Sequence, residues 1–544
     1  MIFAKAAVAA DHRLASAAGV EVLRAGGNAV DAAIATSFAL SVVRPYSCGI
    51  GGGGFMLIAM RDGRATCVNY RDCAPRAMRE DFFANDSDPF ASLRGGKSIA
   101  VPGHVAGMLH ALHKYGTLPI ASVLAPAMRL AREGFEADAH YESSAKEVMA
   151  WLAAQPGRRE RFGMLWEAFL ARGDVRAGTR IRLAGQERVF ASIAQHGRAG
   201  FYEGDVARAM VHAAQRDGGV LSPDDLREFR VQEHAPLVTQ WAGRRVLSAP
   251  PPSSGGIVLA QVFAMLESRS GDLRRIARDE GHNSAAYAHL VCEALKHAFA
   301  DRARYLGDAD FVSLPLDDML SPQRLRDTAA KIDLARTQPH ASYGVAEPLR
   351  DDHGTSHLCV VDEAGNSVAC TETINFEFGS LVGVDGYDFM LNDSIDDFVT
   401  RRGVANAFGL MHDGQNLPAP GKRPLSCMTP TVVQDADGSC FMLAGASGGP
   451  RIITGTLQAI LNATLFDMNA ESSVSTPRFH HQWSPDTLQL EPALLDSPLR
   501  ESLHAKGHDV TKRSPIAAVQ VIRKQPGGWE PASDPRKGGA PAGY

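Results

Sequence analysis

From His12 to Val43 apolar residues return every three or four positions. Leu23, Val30, Ala33, Ile34, Phe38 and Val42 form one stripe, and Gly26-Gly27 interrupts it. That spacing predicts two helices broken at the glycine pair. Beyond Gly49 the period changes, and Phe55-Met56-Leu57-Ile58-Ala59-Met60 and Cys67-Val68-Asn69-Tyr70 read as short strands. The helical period returns from Val101 to Gly134, and the charged stretch 140–200 reads as helical without a clear stripe. Ser222-Pro223-Asp224-Asp225-Leu226 is a helix start, with a Ser cap, Pro in the first turn and acids beside the positive end of the dipole. A rigid Pro250–Gly256 loop leads into a helix from Ile257, and Tyr287–Arg304 is a further helix with Ala288, Cys292, Leu295 and Phe299 inward. Asp333 to His353 is polar, with Pro and Gly and no period, and reads as an exposed linker.

The most specific pattern follows that linker. Ser356 to Val361 carries an apolar, β-branched core, and Ser367 to Thr373 alternates apolar and polar residues. Glu363-Ala364-Gly365 between them fits a three-residue hairpin loop closed by Gly in the left-handed region. If Asp362 faces Asn366, Thr355 lies opposite Thr373. Directly opposed residues have Cβ atoms roughly 4.5–5.5 Å apart, so two hydroxyls meet at the start of the first strand, just after Gly354.

Composition narrows the class. The chain has 544 residues, a net charge of −5, 45% hydrophobic and 22% charged residues. Nothing there suggests a nucleic-acid or anionic-membrane partner, and no apolar run is long enough to span a membrane. The eight cysteines include no C-x-x-C pair, so neither a zinc cluster nor a disulfide framework is expected, and a reducing compartment is. Met1–Ala10 has a short apolar stretch interrupted by Lys5 and reads as mature protein, which implies the cytoplasm, or the periplasm if the start is misplaced. Gly49–Gly54 is preceded by a helix and followed by a strand, the reverse of a phosphate loop, so it predicts close backbone packing instead of nucleotide binding. Adjacent His480 and His481 point different ways on regular structure and do not make a shared metal site.

Thr355-Ser356-His357, Gly365-Asn366 with Val368, Thr371, Thr373-Ile374-Asn375 and Phe378-Gly379 together resemble the signature of the γ-glutamyltranspeptidases, a family of N-terminal-nucleophile hydrolases. Cys359 departs from it, where Ser or Thr is usual. Further matching blocks run from Asn28–Ala33 through Val101-Pro102-Gly103 and Pro250–Gly256 to the tail at Ser533–Tyr544. The resemblance implies an α+β fold, a four-layer αββα sandwich, made as one chain that cuts itself between Gly354 and Thr355. It implies a large subunit of residues 1–354 and a small one of 355–544, associated as a heterodimer.

The resemblance also implies a site. Thr355 is the nucleophile, its free α-amine the base, Thr373 its orienter, and Gly448 and Gly449 the oxyanion hole. Arg71 and Ser426 hold the substrate α-carboxylate, while Asn375, Ser394 and Asp397 hold the α-ammonium. Ser394 stands where Gln or Glu is common, and Cys427 where a second Ser is usual. Phe408 occupies a lid position, on the long loop Thr400–Leu425, where Tyr is frequent. No cofactor and no metal are implied. The expected activity is transfer of the γ-glutamyl group of glutathione to water or an amino-acid acceptor. The alternatives are an acylase acting on glutaryl, cephalosporin-type or oxamate-like amides, and a non-catalytic binding protein that kept the fold.

Overall fold

The computed structural model describes residues 1–344, 354–400, 414–495 and 498–544. Two antiparallel sheets stack on each other, and helices cover both outer faces. The first sheet has seven strands, in the order Ala542–Gly543, Ala7–Ala10, Ser356–Val361, Ser367–Thr373, Gly53–Ala59, Ala65–Asn69 and Gln232–His234. The second has six, in the order Gly528–Ser533, Ala518–Gln525, Cys440–Ser447, Thr431–Gln434, Arg244–Ser248 and Leu237–Trp241. This is the α+β architecture expected, and both sheets draw strands from either side of position 354.

Burial on both faces explains the continuous apolar run Leu358–Val361 in the first hairpin strand. Leu358 and Val360 pack into the core beneath the helices Arg13–Arg24 and Ala29–Val43. Their neighbours Cys359 and Val361 point the other way, into the core shared with the second sheet. The helix pair ends and restarts around Gly26-Gly27, and Asn28 caps the second helix in a capping box with Asp31.

Element boundaries differ from the periodicity reading where turn chemistry intervenes. The Val101–Gly134 stretch is two helices, His104–Tyr115 and Ile120–Glu133, because Gly116 and Pro119 stop the first and start the second. The first predicted strand begins two residues early, at Gly53. The glycines around its start are packing glycines: a Cβ on Gly51, Gly52 or Gly54 would come within 2.0–2.2 Å of the carbonyl oxygens of Met390, Thr373 or Thr371 respectively. The linker is also less free than its polarity predicts. Thr337 and Tyr343 donate to the buried Glu293 carboxylate, and His340 stacks on Trp483 with centroids 5.2 Å apart. A buried carboxylate needs donors, and the linker supplies them; residues 345–353 lie outside the described residues. All eight cysteines are unpaired.

Candidate active site

The hairpin has the register its turn requires. Asp362 N–H bonds the Asn366 carbonyl, Gly365 has φ 88°, and Glu372 pairs with Ser356. One residue further on, the Thr355 hydroxyl donates to the Thr373 hydroxyl oxygen at 3.1 Å. Asn375 N–H donates to the same Thr373 oxygen at 2.8 Å. Thr373 is thereby fixed by its own loop and presents a defined partner to Thr355. Both threonines are 4% exposed. Gly354 is buried as well, and a Cβ there would overlap the Asn375 carbonyl.

The other polar groups of Thr355 are held by residues that the sequence reading missed. Thr355 N–H donates to Ser47 Oγ at 3.2 Å, and the Ser47 hydroxyl lies 2.7 Å from the Thr355 carbonyl. Lys537 Nζ donates to that carbonyl and, at 2.7 Å, to Ser47 Oγ, and pairs with Asp11 at 2.8 Å. The lysine thus places a positive charge one hydroxyl away from the Thr355 nitrogen. Nothing local marks Lys537, since its partners are contributed by chain segments hundreds of residues away. Replacing Lys537 by methionine leaves Asp11, which is fully buried, without its cation. Breaking such a pair costs about 3–5 kcal/mol. A lower Tm and slower cleavage in a time course are expected, with partial recovery in Lys537→Arg and, for Tm alone, in the K537M/D11N double variant.

Across a small cavity of about 30 Å3 from the threonine pair sits a buried charge cluster. Arg71 follows the Ala65–Asn69 strand, where Asn69 Oδ1 accepts its N–H at 3.0 Å. Its guanidinium pairs with Asp397 and reaches Asp72 at 3.4 Å. Asp397 closes the short helical turn Ser394–Asp397. Burial pushes the Asp397 carboxyl up, against the pull of Arg71, and raises that of Asp72 to about 6. Ser394 does not line the cavity. Its hydroxyl donates to Asp72 at 2.8 Å, behind Arg71. It also accepts from Arg71 Nη1 at 3.5 Å, so the shorter side chain braces the guanidinium directly and through Asp72. Asn375 does line it, with its amide anchored on the Asp393 carbonyl at 3.1 Å.

Ser426, Cys427 and Gly449 line the cavity too, beside the apolar Leu425, Met428, Pro450 and Ile452. Ser426 is fixed by backbone pairing with the Pro252–Ser254 loop. Burial pushes the Cys427 thiol up, which disfavours the thiolate that a nucleophile requires. Beneath it lies a second guanidinium, Arg302, which donates to Ser254 at 2.9 Å and contacts Cys427 Sγ at 3.5 Å. Its position was available in the pattern: Arg302 continues the inward stripe Cys292, Leu295, Phe299. Gly448 and Gly449, with φ 122° and 57°, form the turn from the Cys440–Ser447 strand into the Arg451–Leu465 helix. Glycine is needed in that conformation, and the two N–H groups have no acceptor among the described residues. Phe408 lies outside the described residues. His480 and His481 turn apart, to Thr454 and Asp486 respectively.

A family model described as gamma-glutamyltranspeptidase matches residues 15–544. The chain belongs to the γ-glutamyltranspeptidase family. Among similar members, the "glutathione hydrolase proenzyme" of Pseudomonas sp. (strain A14) is 37% identical over 558 aligned positions, covering 99% of this chain and 94% of the relative. The protein of that name from Escherichia coli K12 is 36% identical, covering 97% and 90%. Among solved structures, a cephalosporin acylase from Bacillus halodurans superposes with a TM-score of 0.84 over 100% of this chain and 96% of its own; at 24% identity it speaks to the fold alone. A gamma-glutamyltranspeptidase from Pseudomonas nitroreducens complexed with L-DON covers 61% of this chain and 96% of its own, with a TM-score of 0.56 and 30% identity. Among the described residues no helix is long and apolar enough to cross a membrane.

Proposed function

We propose that the protein is a γ-glutamyltransferase and glutathione hydrolase that matures by cutting itself between Gly354 and Thr355. The observation that carries this reading is the 3.1 Å hydroxyl pair of Thr355 and Thr373 facing the Arg71–Asp397 ion pair across one cavity. A γ-glutamyl group has an α-carboxylate and an α-ammonium at one end and the reacting carbonyl at the other. Arg71 suits the carboxylate by bidentate capture, and Asp397 the ammonium. The Ser426 hydroxyl and the buried Arg302 add further positive and donor character on the carboxylate side.

A threonine hydroxyl is a weak nucleophile until a base takes its proton. In the uncut chain the Thr355 nitrogen is an amide and cannot serve. Attack of the Thr355 hydroxyl on the Gly354 carbonyl gives an ester, water hydrolyses it, and the nitrogen becomes an α-amine titrating at about 8. That amine then takes the hydroxyl proton as Thr355 Oγ attacks the γ-carbonyl of the donor. The N–H groups of Gly448 and Gly449 receive the oxyanion, a contribution of about 3–4 kcal/mol per lost donor in related sites. The leaving amine departs protonated, and the γ-glutamyl ester passes to water or to an amine acceptor. Residues 1–354 and 355–544 remain associated as a heterodimer. The unpaired cysteines support a reducing compartment, the cytoplasm.

Intact mass followed by a donor assay tests this. Two fragments split before Thr355, together with p-nitroaniline release from its γ-glutamyl derivative stimulated by glycylglycine, are the expected result. Fragments without release, or release from a glutaryl amide in preference, would reject the γ-glutamyl assignment.

A further inference from the structure

The helix Ala285–Tyr305 carries a polar stripe that the reacting centre does not use. His289, Glu293 and Lys296 follow one another at helical spacing, and each is 0–1% exposed. Over them lie the linker and a turn from the other half of the chain. The helix Leu499–Ala505 stops before Gly507, whose φ of 90° turns the backbone and brings His508 against His289, with ring centroids 5.0 Å apart. One nitrogen from each of these rings and one Glu293 oxygen lie within 4.8 Å of one another.

The hydrogen bonds decide which nitrogens are available. His289 Nε2 lies 2.7 Å from the Asp333 carbonyl, so that nitrogen carries the hydrogen and Nδ1 keeps a bare lone pair. Nδ1 faces His508 Nε2 at 2.7 Å. Burial keeps both rings neutral, the form that ligates a metal. His508 then donates from Nε2, and its own Nδ1 is buried with no partner among the described residues. The charged neighbours are mostly turned elsewhere. Lys296 Nζ lies 3.0 Å from Asp486 and 3.7 Å from Glu293, His481 turns to Asp486 at 3.3 Å, and Lys506 donates to the Leu334 carbonyl. Glu293 is held chiefly by two neutral hydroxyls, those of Thr337 and Tyr343. A carboxylate has about four lone-pair sites, so it retains capacity for a further partner.

We propose that His289 Nδ1, His508 Nε2 and the Glu293 carboxylate form a site for a divalent transition cation such as Zn2+, and that this ion ties the two halves of the cut chain together. Two imidazoles and one carboxylate, with a position left for water, are a donor set that suits Zn2+. His289 and Glu293 stand one helical turn apart, the i, i+4 spacing that aims two ligands at one ion. The bond from His289 Nε2–H to a backbone carbonyl is the outer contact that orients a ligating imidazole. Zn–N bonds at a tetrahedral angle put two nitrogens about 3.3 Å apart, so from their present 2.7 Å the rings part by roughly 0.6 Å. The His508 hydrogen moves to Nδ1, which no other group occupies. His289 and Glu293 precede position 354 and His508 follows it, so after cleavage the ligands come from two polypeptides.

Tag-free protein, stripped with a chelator and titrated with Zn2+ by calorimetry, tests the site, with Co2+ as the spectroscopic probe. The natural protein is expected to bind one Zn2+ per molecule and, with Co2+, to show the visible bands of a four- or five-coordinate ion. Affinity is expected to fall about 100-fold or more in His508→Asn and in Glu293→Gln, since loss of an outer hydrogen bond to a ligand already costs about 10- to 100-fold. The Tm of the cut protein is expected to rise with Zn2+, as for any ligand of the folded state, and not to move in H508N. No stoichiometric binding by the natural protein, or undiminished affinity in H508N and E293Q, overturns the proposal. Should the variants fail to fold, the X-ray absorption spectrum of the natural protein loaded with one Zn2+ decides: two imidazoles around the ion support the site, and fewer overturn it. Uncut Thr355→Ala protein is expected to bind with the same stoichiometry, so the result stands apart from the γ-glutamyl reading.

Discussion

Thr355→Ala protein is expected to purify as one uncut chain of 544 residues with no measurable donor turnover. One oxygen serves both events, so its removal abolishes maturation and catalysis together. In enzymes where the nucleophile acts as part of a unit, its loss lowers kcat by about 10^6, and here the base is lost too, because it forms only on cleavage. Intact mass and p-nitroaniline release check both effects on one sample. Thr355→Ser sharpens the result, since it keeps the oxygen and the bond to Thr373 but lacks the methyl group that fixes the rotamer. It is expected to be cut more slowly than the natural chain, and cleavage at the natural rate in T355A would remove Thr355 from the mechanism.

The second large effect is expected at Arg71. Arg71→Gln leaves the buried Asp397 and Asp72 without their guanidinium. Truncating one partner of a buried, hydrogen-bonded charge pair costs about 2–5 kcal/mol, or roughly 30- to 5,000-fold in kcat/KM if the interaction is realised in the transition state. Arg71→Lys is expected to recover little, because a single ammonium cannot span Asp397 and Asp72 in the fork geometry of the guanidinium. Cleavage before Thr355 does not use the substrate carboxylate, so R71Q is expected to mature. Steady-state kinetics on the cut protein then isolate the binding role, and an R71Q enzyme with unchanged kcat/KM would place donor recognition elsewhere.

The hairpin was readable from sequence because two local rules agree on it. The Glu363-Ala364-Gly365 turn fixes the register, and the alternation along Ser367–Thr373 fixes which side chains share a face. The Thr355–Thr373 contact then follows by counting. Arg71 was readable as a strand-end guanidinium, though only the resemblance distinguished it from a surface charge. Lys537, Ser47 and Asp11 were not readable. They meet at Thr355 by tertiary packing alone: Lys537 lies in the matched tail Ser533–Tyr544, but no local pattern there ties it to Thr355, and Ser47 and Asp11 sit in stretches with no pattern of their own. At Ser394 the position matches the motif, but the side chain ends at Asp72, while Asn375 and Asp397 line the cavity.

Both sheets combine strands from the two sides of position 354, with Ser356–Val361 paired between Ala7–Ala10 and Ser367–Thr373. Before the cut, such a chain unfolds and refolds as a single molecule. After it, the same loss of structure sets two polypeptides free, and recovery needs them to find one another at whatever dilution they have reached. Maturation therefore converts a reversible equilibrium into a clock: the lifetime of the working protein is set by its rate of opening, as for other kinetically stable proteins. Heated briefly and cooled, the uncut T355A chain should regain its fold where the mature heterodimer does not.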